Sequence, residues 1–152
     1  MKKSNEIFVE TNENSENSFE KIKQSDENKI LKNLCYIKEN SIILNYIYFK
    51  HFATNETYTC ILNYISNNID IILLDNDNFV VHVNMKYLTI VDIDKHKSFI
   101  QYISLHLKEA YPRKLCKCYV YNSPFVFNQI YNILCMFIDK ETQKKIELVV
   151  NK

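Results

Sequence analysis

The sequence has no glycine, no tryptophan, two prolines and a single arginine, Arg113, among its 19 basic residues. The missing glycine excludes much chemistry. A Walker loop, a dinucleotide fingerprint and a nucleophile elbow each need glycine, for close backbone approach or for a strained turn, so the common kinds of nucleotide-binding enzyme are ruled out. An excess of one charge is also lacking: 19 basic against 18 acidic residues leave a formal net charge of +1. A nucleic-acid-binding domain is normally strongly basic, so no nucleic acid partner is expected. No apolar run is long enough to cross a bilayer as a helix, and residues 1–21, MKKSNEIFVETNENSENSFEK, contain no secretory hydrophobic segment. The five cysteines are odd in number and are expected to be reduced, acting as small core residues of a cytoplasmic protein. Cys116 and Cys118 have no second Cys or His pair at zinc-binding spacing, so no metal is expected.

What remains suits one ordinary domain: 152 residues, 47% hydrophobic and 24% charged. Ile and Asn each supply about an eighth of the chain. With Lys and Tyr they share AT-rich codons, and the composition reads as that of a gene from an AT-rich genome, such as a parasite or a large DNA virus.

Residues 1–38 read as a polar, partly disordered tail that buries too little apolar surface to offset its ordering entropy. A single helix is expected within 18–37. Residues 41–50, β-branched and aromatic, predict a strand. Asn55 or Thr57 then caps a helix whose stripe is Tyr58, Ile61, Leu62, Ile65, Ile69 and Ile72. Residues 69–74 fit either the end of that helix or a strand entering the Asp75–Asn78 turn. A strand follows at 79–85, buried on both faces for most of its length. Asp92 or Asp94 caps the next helix, with Phe99, Ile100, Ile103, Leu107 and Ala110 inward and Lys97, Gln101, Ser104 and Lys108 toward water. Tyr111-Pro112 stops it. A strand at 117–122, a helix at 125–138, one more turn capped by Asp139 and a strand at 146–150 complete the order. Alternating strands and helices imply right-handed crossovers and an α/β fold, a mainly parallel sheet flanked by helices.

The helix 125–138, FVFNQIYNILCMFI, is polar over only about a third of its circumference, at Asn128, Gln129 and Asn132. Covering a sheet needs one apolar stripe, so the second greasy face needs burial in the core, an apolar ligand or a bilayer.

From residue 100 onward the chain resembles the CRAL-TRIO lipid-binding domain, the family of phosphatidylinositol-transfer and tocopherol-transfer proteins. The resemblance rests on Tyr111-Pro112 and Leu115, on Asn122-Ser123-Pro124-Phe125 opening the helix, and on Asp139, Thr142 and Lys145-Ile146. Upstream, VVHVNMKYLT sits where the family has a strand ending in Asp-x-x-Gly, and the likeness spans about 45–152 of a domain taken as 39–152. It implies a hydrophobic lipid cavity closed by a gate helix, with Phe125, Phe127, Ile130, Tyr131, Leu134 and Phe137 as the gate's apolar contacts. It also implies headgroup ligands at Thr142 and Lys145. Arg113 replaces the acid that follows Tyr-Pro in the family, exchanging a partner for inositol hydroxyls for one that grips phosphate. The implied function is non-catalytic binding, transfer or presentation of a phospholipid or other hydrophobic ligand, with transient docking on membranes and no cofactor besides the lipid.

Two rival readings come from other classes. Divergent members of the family look like docking modules for small GTPases, and a minimal domain of this kind is also a candidate homodimer. Asp92-Ile-Asp94 resembles the metal-binding pair of glycosyltransferases, but two acids at a helix start equally serve as caps.

Overall fold

The computed structural model of the chain describes Phe8 and residues 26–123, 127–136 and 138–150, with the side chains at 129, 130, 133 and 134 outside that set. Helix α1 (Glu27–Leu34) is capped by Asp26, whose carboxylate accepts from the Lys29 amide, and leads into strands β1 (Cys35–Lys38) and β2 (Ser41–Asn45). Helices α2 (Tyr46–Phe52) and α3 (Tyr58–Leu73) precede β3 (Phe79–Asn84). Helices α4 (Ile90–Lys95) and α5 (Lys97–Ala110) precede β4 (Leu115–Tyr121). Then come α6 (Phe127–Leu134), α7 (Lys140–Gln143) and β5 (Ile146–Leu148).

The five strands lie in the order β1-β2-β3-β4-β5, with β1 antiparallel to β2 and the other pairs parallel. The α/β fold with a mainly parallel sheet is therefore as the sequence implies. Three local expectations are corrected and one open alternative is settled. The helix expected to reach residue 37 stops at Leu34, and Cys35–Lys38 pairs with Ser41–Leu44 as a hairpin. The strand expected over 41–50 ends at Asn45; the β-forming residues Tyr46–Phe52 turn helical because that winding buries Tyr46, Ile47 and Phe52 together. Residues 69–73 belong to α3, which buries Ile61, Leu62, Ile65, Ile69 and Ile72 on one stripe. In β3 only Phe79 is fully buried.

The side chains that α1, α2, α3 and α5 send inward meet one face of the sheet, here the front face, around Ile42, Phe79, Cys35 and Phe99. A second cluster on the same side gathers Tyr46, Leu88, Ile93, Val120 and Phe127. On the back face, Phe8 meets Ile43 and Tyr121, with its ring edge-on to Tyr121. A bulge at Cys116 shifts the β3–β4 register: Phe79 pairs with Leu115 but Val80 with Lys117. The extra residue brings Leu115 and Cys118 onto the front face although they are three apart, and sends Cys116 to solvent.

Asp92 and Asp94 do not form a clamp. Thr89 is the N-cap of α4, and Asp92 closes a capping box with it: the Asp92 amide donates to Thr89 Oγ1 and the Thr89 amide to Asp92 Oδ2. Asp92 also faces Lys50 Nζ at 3.3 Å, whereas Asp94 is exposed. Burial pushes the Asp92 carboxyl up, but the nearby Tyr46 hydroxyl, the hydrogen bond from the Thr89 amide and the Lys50 charge outweigh it and hold it below its ordinary value. Among the described residues no group of three metal-ligating side chains converges. His106 is half-buried and lies 3.0 Å from the Ser66 hydroxyl, linking α3 and α5. The deeply buried histidine is His96, whose Nδ1 lies 2.6 Å from the Tyr58 hydroxyl; burial, with the Lys95 charge, lowers its pKa.

Without glycine, left-handed backbone falls to other residues: φ is +59° at Glu39, +73° at Tyr87, +62° at Arg113 and +53° at Asn122. Glu39 opens the two-residue loop between β1 and β2, where a positive φ favours glycine. The left-handed region costs a residue with a Cβ about 1–2 kcal/mol, part of which glycine's greater unfolded-state entropy cancels. Glu39→Gly is therefore expected to stabilise the chain by about 1 kcal/mol, read as a higher urea midpoint at unchanged slope; an unchanged or lower midpoint refutes this.

Candidate functional site

The parallel strands present Ile42, Leu44, Phe79, Val81, Leu115 and Cys118 to the front, while α3 offers Ile65 and Ile69 and α5 offers Ile103 and Leu107. These surfaces do not close on each other. Between them lies an open cavity of about 390 Å³, within the size range of small-molecule sites. Burial pushes the Cys118 thiol up to about 12, so at neutral pH it is a protonated, apolar part of the wall and no nucleophile.

One end of the cavity is polar. It carries Ser104 and Lys108 from α5, Arg113 from the turn before β4, and Asp139, Glu141, Thr142 and Lys145 from the α7 segment. The three residues the sequence proposes as headgroup ligands, Arg113, Thr142 and Lys145, thus line one cavity. Ser104 and Lys108, expected to face water, line it too; Lys108 stays largely exposed, as its long stem allows. Their positions flank the α5 stripe at Ile103 and Leu107, so helical phase alone placed them at its border.

Local structure fixes these groups. Asp139 is the N-cap of α7 and accepts from the Thr142 amide at 2.7 Å. That bond, the Thr142 hydroxyl and the nearby Lys108 and Lys145 charges hold the Asp139 carboxyl below its usual range. Lys108 Nζ stands 3.9 Å from Asp139 Oδ2. Lys145 is pinned through its backbone, its amide donating to the Thr142 carbonyl and its carbonyl accepting from the Cys118 amide. On the other side, the Tyr111 hydroxyl donates to Asp70 Oδ1 at 2.7 Å and lies 3.1 Å from the Ser66 carbonyl, tying the Tyr111–Arg113 turn to α3. Burial and Asp70 raise that phenol to about 12, so it remains a donor.

Two of the proposed gate residues, Phe127 and Tyr131, sit apart from this cavity's lining. Phe127 is 4% exposed, packed with Tyr46, Leu88, Ile93 and Val120. Tyr131 is half-buried beside it, ring centroids 6.1 Å apart. Asn128 and Asn132 are exposed. Phe125 and Phe137 lie outside the described residues, as do the side chains of Ile130 and Leu134. Gln143 Nε2 donates to the carbonyls of Cys135 and Ile138, joining α7 to the end of the α6 segment. No helix among the described residues is long and apolar enough to cross a membrane.

Comparison with known proteins agrees with the fold. The chain is 31% identical over 67 residues to the Sec14 cytosolic factor of Schizosaccharomyces pombe, a stretch covering 44% of this chain and 23% of that protein. Its fold superposes on the crystal structure of Sfh5 with a TM-score of 0.68 at 19% identity, covering 87% of this chain and 52% of the other. The chain therefore spans about half of that structure and a smaller share of the curated relative. The family model of the CRAL/TRIO domain matches residues 14–152, a range that takes in α1 and β1. The chain belongs to the CRAL/TRIO domain family, whose members bind and transfer lipids.

Proposed function

We infer that this chain binds a lipid, without catalysis, in the cavity between the front face and helices α3 and α5, and transfers or presents it at a membrane surface. The supporting observation is the meeting of Arg113, Thr142 and Lys145 at the polar end of a cavity whose other walls are apolar. Hydrocarbon in such a cavity gains about 0.8 kcal/mol per CH₂ removed from water, so release into solvent is negligible and exchange takes place against a bilayer. A hydroxyl, an ammonium and a guanidinium suit a phosphate-bearing head. Arg113, where the family carries an acid, favours the phosphate over inositol hydroxyls. The α6 segment acts as the gate, with Phe125, Phe127, Ile130, Tyr131, Leu134 and Phe137 as its apolar contacts. Swinging Phe127 out of its pocket exposes one large apolar side chain, a cost of about 1.5–3 kcal/mol that contact with lipid tails offsets. Such a carrier works in the cytoplasm and meets membranes only peripherally.

A filled cavity tests this. Ile103 is half-buried and lines the cavity from α5, so Ile103→Trp occupies the space a tail would take. The variant is expected to keep its far-UV circular dichroism and to lose about tenfold in lipid occupancy, the equivalent of a few methylene contacts, by native mass spectrometry. Equal lipid load in both proteins overturns the cavity assignment. A protein that takes up no lipid from vesicles at all overturns the carrier reading, leaving a protein-interaction scaffold for small GTPases or a second copy.

A further inference from the structure

The sheet has two faces, and the helices use one. Strands β2 to β5 follow each other across the sheet in chain order, all parallel. Right-handed crossovers taken in one direction put their helices on the same side, and α1 to α6 meet the front face. Parallel sheets are ordinarily covered on both faces. Yet the apolar cluster on the back face takes no member from a helix among the described residues. That face lies opposite the lipid cavity and is independent of it.

The back face is an aromatic floor built in register. One row across the five strands is Tyr36, Ile43, His82, Tyr119 and Glu147. His82 stacks on Tyr119, ring centroids 5.1 Å apart, and its Nδ1 lies 2.7 Å from the Tyr121 hydroxyl. These contacts tie the floor to itself, so it is preorganised whatever lies above it. Above it lies Phe8, 8% exposed, its ring edge-on to Tyr121 at 5.0 Å. The cover is partial. His82 and Tyr119 are only half-buried, and Leu148 and Val150, which line the same cleft, are 41% and 74% exposed.

The sequence around Phe8 shows what the cleft accepts. Among residues 1–18 the only apolar side chains after Met1 are Ile7, Phe8 and Val9, with Glu6 and Glu10 on either side. Residues 9–25 lie between Phe8 and Asp26, the cap of α1. A tether of that length presents Phe8 to the cleft at an effective concentration on the order of millimolar, a level that a competing segment can match. We propose that the back face is a docking site for a short segment of another protein that carries an aromatic residue between two aliphatic ones, and that Phe8 occupies it in cis. The incoming ring takes Phe8's place against Ile43 and Tyr121, and its neighbours cover His82, Tyr119, Leu148 and Val150.

The test titrates the full chain by calorimetry with three synthetic peptides. One is residues 3–13, the second shuffles its polar residues around Ile-Phe-Val, and the third has serine in place of the phenylalanine. Phe8→Ser frees the cleft. This variant is expected to bind the first two peptides alike, at least about tenfold tighter than the wild type does, because no cis segment competes. The serine peptide is expected not to bind. Equal binding to variant and wild type, or none to the variant, overturns the inference. Binding of the first peptide alone assigns the cleft to the chain's own segment, and wild-type dimers that Phe8→Ser abolishes assign it to a second copy; either result overturns a foreign partner. If Phe8→Ser does not fold, Phe8→Trp supplies the sole indole of the chain. Peptide at about 10 mM, well above the effective concentration of the tether, is then expected to shift the indole emission to longer wavelength. An unmoved spectrum overturns the inference.

Discussion

Lys145→Ala is expected to weaken lipids with phosphate heads by about ten- to a hundredfold and to leave uncharged lipids unchanged, the range spanned by a hydrogen bond to a charged group. The side chain is half-buried at the polar end, and its backbone is bonded on both sides, to Thr142 and to Cys118. Truncation therefore removes the ammonium without moving β5. Its remaining protein partner is the charge of Asp139, which keeps the Thr142 bonds and Lys108. The stability lost is correspondingly small, since pairs this exposed contribute little. Adding Arg113→Ala removes a second cation from the same polar end, and the double variant is expected to lose more than either single one. The measurement is equilibrium binding of lysophosphatidic acid and monooleoylglycerol to the same preparations. Equal loss for both makes Lys145 a structural residue and removes it from the site.

Phe127→Ala is expected to destabilise the fold by about 3–5 kcal/mol, as truncation of a buried aromatic normally does. Its ring fills the space among Tyr46, Leu88, Ile93 and Val120, joining α2, α4, β4 and α6. In a domain of this length each kcal/mol shifts the melting temperature by about 2–4 °C, so a fall of about 10 °C follows. Asn128→Ala, one residue along and exposed, is expected to leave stability within about 0.5 kcal/mol. Chemical denaturation of the three proteins measures both. A shift under about 1 kcal/mol for Phe127→Ala shows that the α6 segment is not seated by this residue. The same burial makes Phe127→Asp a poor probe of gating, because an unpaired charge in that pocket would disrupt the core before it altered lipid exchange.

The polar end was readable because its motif is local. Asp139, Thr142 and Lys145 are three residues apart, and a cap followed by one turn of helix puts them on the same side whatever surrounds them. The order of strands and helices was readable for a similar reason, since the α3 stripe repeats every three or four residues along one segment. Ser104 was misassigned, and Lys108, exposed as expected, also borders the cavity, because residues at the edge of a stripe face water or a cavity according to what packs opposite. Here the sheet stops short of α5, and the gap receives them.

Sequence by itself determined the exclusion of glycine-dependent nucleotide sites, the alternation of strands and helices, the family, and the side chains offered at residues 139–145. These follow from composition and short-range spacing, which need no knowledge of what lies across the fold. Only the tertiary structure decided that Cys35–Lys38 is an edge strand, that Tyr46–Phe52 winds into a helix, and that the Cys116 bulge puts Leu115 and Cys118 on one wall. It alone seated Phe127 in the core and left a cavity between the sheet and helices α3 and α5. Each of those outcomes depends on contacts between segments distant in the chain, where burial outweighs local propensity.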